Sequence, residues 1–228
     1  YYEYKQKGAG DLAKLDLTYG GNFRNIFDLY LNNSITDRKM VGAKTVGDSM
    51  SEMALGKVAM VQNGNWAWGQ IEGESGNVVK ADDIKFLPIY MGVSGEEKQG
   101  LCTGTENFIC VNGKASQEAR DASIRLLEWL FNTSSGKSFV LDKLGFVAPF
   151  STFGPTERPN NPLVKEMFFY LDNPAIESVS WNFPTFPSQA FKEALGAAMY
   201  DYALGNASWD QVTRTFVDSW ASEKAAIQ

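Results

Sequence analysis

Histidine is absent from the 228-residue sequence. That omission removes Ser-His-Asp and Cys-His mechanisms and the commonest metal ligand. Cysteine is nearly absent as well: Cys102 and Cys110 are the only two, too few for a disulfide scaffold or a four-cysteine zinc site. Both fall on or beside one predicted strand, where two small buried hydrophobes are expected rather than a bridge. Lys/Arg-rich runs are missing and the net charge is −6, which argues against nucleic-acid or anionic-membrane partners, since phosphate binding needs clustered basic residues. No apolar stretch reaches the ~18 residues of a membrane-spanning helix. No basic segment precedes an apolar one at the start, so no signal peptide is expected here. Phosphate-binding glycine motifs are also missing, and no cofactor is expected.

What remains is ordinary for a globular chain: 44% hydrophobic and 21% charged residues, enough for a sizeable core. The most informative stretch is Leu55 to Ile71, LGKVAMVQNGNWAWGQI. Val58 to Val61 is apolar and β-branched, as a short buried strand requires. Asn63-Gly64-Asn65 supplies turn chemistry, and Trp66 and Trp68 follow where a helix could start. Ligands of open α/β proteins sit where a strand end passes through such a turn into a helix. A large flat ring there can stack on a ligand while amides and free helix-start N–H groups donate hydrogen bonds. Trp66 is expected to face the ligand and Trp68 the core.

Elsewhere the chain alternates extended and helical patterns. Leu12 to Tyr19 is strand-like around Leu15 and Leu17, and Asn22 is placed to cap a helix with Phe23, Ile26, Phe27 and Tyr30 on one face. Thr45 and Asp48 have capping-box spacing. Ile84 to Ile89 is predicted as a strand limited by Pro88, Gly92 to Gly100 as a charged turn, and Leu101 to Val111 as a mixed extended segment bent at Gly104-Thr105. Ser116 caps a helix through Leu130, and a second runs from about Ser135 to Leu144, stopped by Gly145. Residues 151 to 162 read as a linker and Asn161 to Leu171 as a helix. Glu177 to Pro187 reads as an irregular aromatic loop. Ser188 caps a helix closed by Gly205, and Ser208 with Gln211 opens the last one. The class is α/β.

The GKxAMxxNGxWAW-like stretch resembles the C-terminal lobe of the maltose-type, family 1 sugar-binding proteins of carbohydrate ABC importers. The similarity continues through Gly100 to Val111 with the Ser116 helix, through LLEWLFNTSSGK and LGFVAPF, and through the aromatic loop and closing helices. Asn65 stands where that family usually has proline. The resemblance implies a type II periplasmic-binding-protein-like lobe with a helical C-terminal region. Residues 1–100 would form a second-lobe α/β core. Residues 101–150 would cross to the first lobe as an extended segment and helix pair, and residues 151–228 would return. The N-terminal lobe and signal that such proteins carry are not expected in this chain, which would therefore be a fragment. The implied protein is a monomeric extracellular lipoprotein or periplasmic protein that passes sugar to the permease subunits of an importer.

Sugar recognition needs flat apolar surface beside planar polar groups. In the resembled family the first tryptophan of the motif packs on a sugar face, which implies Trp66 here, with Asn65 beside it. Trp181, Asn182 and Phe183 form a second aromatic–amide cluster, in which Trp181 serves either as a ligand contact or as a buried anchor. Glu106 and Asn107 follow the Gly-Thr bend and are expected to accept or donate bonds to hydroxyls. Trp129, Trp209 and Trp220 are expected in the core. Two other readings stay open: a peptide or other solute in the same fold, or a glycoside hydrolase fragment. The latter needs a second acid ~5 Å or ~6.5–9.5 Å from Glu106, and the sequence places none there.

Overall fold

The computed structural model describes residues 1–3 and 12–227; most of the polar aromatic stretch expected at the very start lies outside the described residues. Helices dominate. The first, α1 (Gly20–Asn33), begins after Tyr19 rather than at Asn22. Asn22 instead donates from Nδ2 to the carbonyls of Met91 and Gly92, at 2.8 and 3.3 Å. Its amide is thus engaged about seventy residues away in sequence rather than in the local cap the sequence suggests.

A short 3-10 segment (Arg38–Ala43) leads to α2 (Val46–Ala54). Here the expected capping box is present, with Asp48 N–H donating to Thr45 Oγ1 and Thr45 N–H donating back to Asp48 Oδ2. The chain then runs without regular structure through Val58 to Val61, enters a 3-10 turn at Asn65–Ala67 and continues into α3 (Trp68–Glu72). The strands expected at Val58–Val61 and Ile84–Ile89 are therefore absent. Ile84 is buried and Leu87 and Ile89 are exposed, so the second run keeps its alternation. Neither run has a hydrogen-bonding neighbour among the described strands, and a strand exists only with a ladder partner.

The sheet of the described residues has two parallel strands, β1 (Gln99–Thr103) and β2 (Glu177–Ser180). Cys102 pairs with Val179 and Thr103 with Ser180. Thus the first residues of the aromatic loop, expected to be irregular, are strand. Before β1, the Glu96 carboxylate is buried and accepts the Met91 and Gly92 N–H groups at 2.7 and 2.6 Å. This anchors the charged turn.

Beyond Thr103 the extended segment leaves the sheet, and Phe108 and Ile109 are exposed. Both cysteines are exposed and free, a correction to their expected burial. Cys102 occupies the exposed position of β1, where its thiol still meets the Trp181 side chain, and Cys110 lies past the point where pairing stops.

The helix pair follows as α4 (Gln117–Asn132), capped by Ser116, and α5 (Ser134–Ser138), which runs into a π-helical turn at Phe139–Leu144 closed by Gly145. No residue of α4 is buried. Trp129, expected in the core, is 40% exposed and meets Phe139 of the π turn at 6.1 Å, on a helix with no buried residue. After the linker come α6 (Pro162–Leu171), then β2, and finally α7 (Gln189–Leu204) and α8 (Trp209–Ile227). Caps at Ser188 and Ser208–Gln211 and the stop at Gly205 (φ 79°) are as expected.

Two apolar clusters hold these elements. One gathers Met50, Ala54, Ala67, Trp68, Ile71, Ile84 and Leu163, joining α2, α3 and α6 under the Asn-Gly loop. The other gathers Leu15, Phe191 and Trp220, with Phe186, Leu195 and Phe216 packed against it. Trp209 and Trp220 are core as expected. Their indole N–H groups donate to the carbonyls of Gly20 and Leu12 at 3.0 and 2.9 Å, which satisfies the polar end of each buried ring.

Candidate functional site: an aromatic row at the Asn-Gly loop

The two tryptophans of the focal loop part company. Trp68 is 6% exposed and belongs to the α2–α3–α6 cluster, whereas Trp66 is 56% exposed. A 3-10 turn advances about 120° per residue, so residues 66 and 68 leave it in different directions, and the buried helix α3 claims the second. Local hydrogen bonds fix the loop. Asn63 Oδ1 accepts the Gly64 N–H at 2.8 Å and its Nδ2 reaches the Met50 sulfur at 3.3 Å. Ala67 N–H closes on the Gly64 carbonyl at 3.0 Å.

A residue that sequence reasoning passed over completes the support. Asn161 caps α6 by accepting the Leu163 and Val164 N–H groups at 2.8 and 3.3 Å, and its Nδ2 donates to the Asn65 carbonyl at 2.9 Å. The loop is thereby tied to a helix nearly a hundred residues away in sequence. The Asn-Pro pair at 161–162 carries a readable helix-start signal; the second bond has no sequence signature.

Trp181 comes to the same place from β2. Its N–H donates to the Thr103 carbonyl at 3.1 Å, extending the β1–β2 pairing. Its ring meets Trp66 edge-on, with centroids 6.5 Å apart and planes at 65°. Phe183 lies 5.1 Å beyond Trp181, followed by Phe186 at 6.4 Å from Phe183. Phe186 in turn packs on Phe191 and Trp220 of the second core. Thus a continuous row of rings runs from an exposed platform at Trp66 into the hydrophobic interior. Phe183 is 46% exposed, and the Lys192 ammonium stands 5.7 Å from its centroid, within the range of a cation–π contact.

Of the residues selected from sequence, Trp66, Trp181 and Phe183 are brought together, and Asn65 adjoins them through the loop. Glu106 and Asn107 lie in the exposed stretch after β1, where Asn107 has φ 62°. No contact among the described residues brings either side chain to the rings. The Cys102 thiol lies beside the row: burial pushes its pKa up, opposed by a hydrogen bond with the Trp181 side chain. No cluster of metal-ligating side chains occurs among the described residues, and none of their helices is long and apolar enough to cross a membrane.

A separate surface hollow of about 380 Å³ is lined by residues including Arg158, Lys165, Phe168 and Asp172. Its guanidinium is already occupied: Arg158 stacks 3.5 Å over Phe168 and pairs with Asp172 at 2.9 Å. The hollow contains none of the sequence-selected residues.

The loop thus presents an exposed indole, Trp66, held from below by hydrogen bonds at Asn63, Gly64 and Asn65. A family model described as bacterial extracellular solute-binding protein matches residues 26–161, more than half of the 228 residues, and the chain belongs to that family. Comparisons with curated proteins and with solved structures gave no match. Membership makes this an extracellular-type binder of a small solute, working with a transporter.

Proposed function

We propose that the solute is a neutral sugar or oligosaccharide, held against Trp66 and handed without chemical change to the permease of an ABC importer. The observation that carries this reading is the Trp66 ring, more than half exposed on a loop that hydrogen bonds hold at Asn63, Gly64 and Asn65. An aromatic face stacks well on the apolar C–H face of a pyranose, and flanking amides and backbone groups suit hydroxyls. Asn65, Trp181, Phe183, Glu106 and Asn107 complete the proposed ligand set. Glu106 and Asn107 are assigned from their place after the Gly104-Thr105 bend.

The binding cleft in this reading lies between two lobes, with residues 101–150 belonging to the first. The exposure of Phe108 and Trp129 and the lack of any buried residue on α4 support that division, since such apolar surface favours a packing partner. Closure of the lobes would trap the ligand. Isothermal titration of neutral mono- and oligosaccharides into the protein tests the proposal. Saturable heat with at least one sugar supports it; silence across the panel, together with binding of a peptide or another solute, would reassign the ligand.

A further inference from the structure

The geometry points to Gly64 as the residue that sets the Trp66 platform, and to a site that offers its ligand one aromatic face rather than a slot between two. This inference rests on the reading that Trp66 contacts the ligand, and adds how the ring is held and what shape of contact it permits.

Gly64 is extended, at φ −108° and ψ −177°, so its backbone is one that any residue adopts and its glycine identity is not explained by conformation. The explanation is space. A Cβ at Gly64 would fall 2.3 Å from Cη2 of Trp66, 2.4 Å from Cζ3 and 2.6 Å from Cζ2. The six-membered end of the indole therefore lies directly on the Gly64 backbone. Trp181 is seated in a similar way: a Cβ at Gly104 would stand 2.8 Å from its Cβ and 3.0 Å from Cδ2 and Cε3. Each ring thus rests on a glycine of a different segment, and the two meet edge to face at 65°.

That angle decides how a ligand can enter. A flat molecule sandwiched between two rings needs parallel faces about 7 Å apart, twice an ordinary carbon contact distance. Trp66 and Trp181 are 6.5 Å apart but strongly inclined, so no such slot exists between them. Trp181 buttresses Trp66, and the ligand stacks on the remaining open face of Trp66 alone. The site then selects molecules with one flat apolar face and polar groups on the other side, which is the form of a pyranose ring with its hydroxyls directed away from the stack.

The contacts also provide a clean test. The atoms a Gly64 methyl would strike are at the far end of the Trp66 side chain, which can swing away, and the backbone there tolerates alanine. Gly64→Ala should therefore displace the ring with little effect on folding. Two inclined indoles in contact give an exciton couplet in far-ultraviolet circular dichroism, lost when either is replaced. The experiment compares wild type, Gly64→Ala, Trp66→Phe and Trp181→Phe by circular dichroism, thermal unfolding and calorimetric titration with a neutral sugar panel. The expected result is a couplet in wild type that disappears in all three variants. In Gly64→Ala the melting temperature should be unchanged, and sugar affinity should fall about tenfold, the scale of one lost stacking contact. A couplet and affinity that survive in Gly64→Ala would overturn the inference. So would a melting temperature that falls in parallel with affinity, which would make Gly64 merely structural. If no sugar binds wild type, the carbohydrate reading fails on its own, and the couplet decides the seating: its loss in Gly64→Ala supports it and its persistence refutes it.

Discussion

At the scale of single residues, Trp66 and Trp68 show how two identical side chains two positions apart in a turn acquire opposite exposure. Removing buried Trp68 takes a large ring from the α2–α3–α6 cluster, and Trp68→Ala should cost about 3–5 kcal/mol of stability, measured by denaturant titration. Trp66→Ala should leave that midpoint unmoved because the ring is already exposed, yet weaken sugar binding by ~1–3 kcal/mol. Equal stability losses in the two variants would contradict the division. The Cys102 thiol offers a second test. Burial raises its pKa, so it stays protonated at neutral pH and reacts slowly despite its surface position. A thiol reagent should modify Cys102 slowly at neutral pH and faster as pH rises, and rapid labelling at neutral pH would contradict the raised pKa.

At the scale of elements, the helices were legible because their signals are local. Thr45–Asp48, Ser116, Ser188 and Ser208–Gln211 each bond within three residues, and each helix begins where its cap lies. Strands were not legible to the same degree. Val58–Val61 and Ile84–Ile89 have strand composition without a ladder partner, while β2 forms within a stretch that reads as irregular because β1 lies beside it. Asn22 failed as a cap for the same reason: its amide found Met91 and Gly92, which no local pattern reveals.

In the α2 capping box, hydrogen bonds from the Thr45 backbone and hydroxyl hold the Asp48 carboxyl below its ordinary pKa. A lowered folded-state pKa contributes stability that is present above the unfolded value and lost as pH falls through the lowered one. The acid limb of the stability profile should therefore flatten in Asp48→Asn, and an unchanged limb would show that the box does not carry that dependence. Asn161→Ala removes both the α6 cap and the tie to the Asn65 carbonyl. The lost cap should cost about 0.5–2 kcal/mol in stability. The freed loop should lower sugar affinity further than stability alone accounts for, and unchanged affinity would separate Asn161 from the site.

At the scale of the whole molecule, the ring row from Trp66 through Trp181, Phe183 and Phe186 connects a surface platform to the second core. The members Trp66, Trp181 and Phe183 were visible in sequence as aromatic residues in polar loops. Their mutual contact was not, since it depends on the β1–β2 pairing and on the glycines beneath the rings. In the proposed reading this solute-binding protein holds a neutral sugar on the open face of Trp66. Its most direct test is one calorimetric comparison of wild type and Trp66→Ala against the same panel of neutral sugars, with thermal unfolding measured on both. Saturable binding in wild type is expected, weakened at least several-fold in a variant of unchanged melting temperature. A sugar bound equally well by both proteins would contradict it.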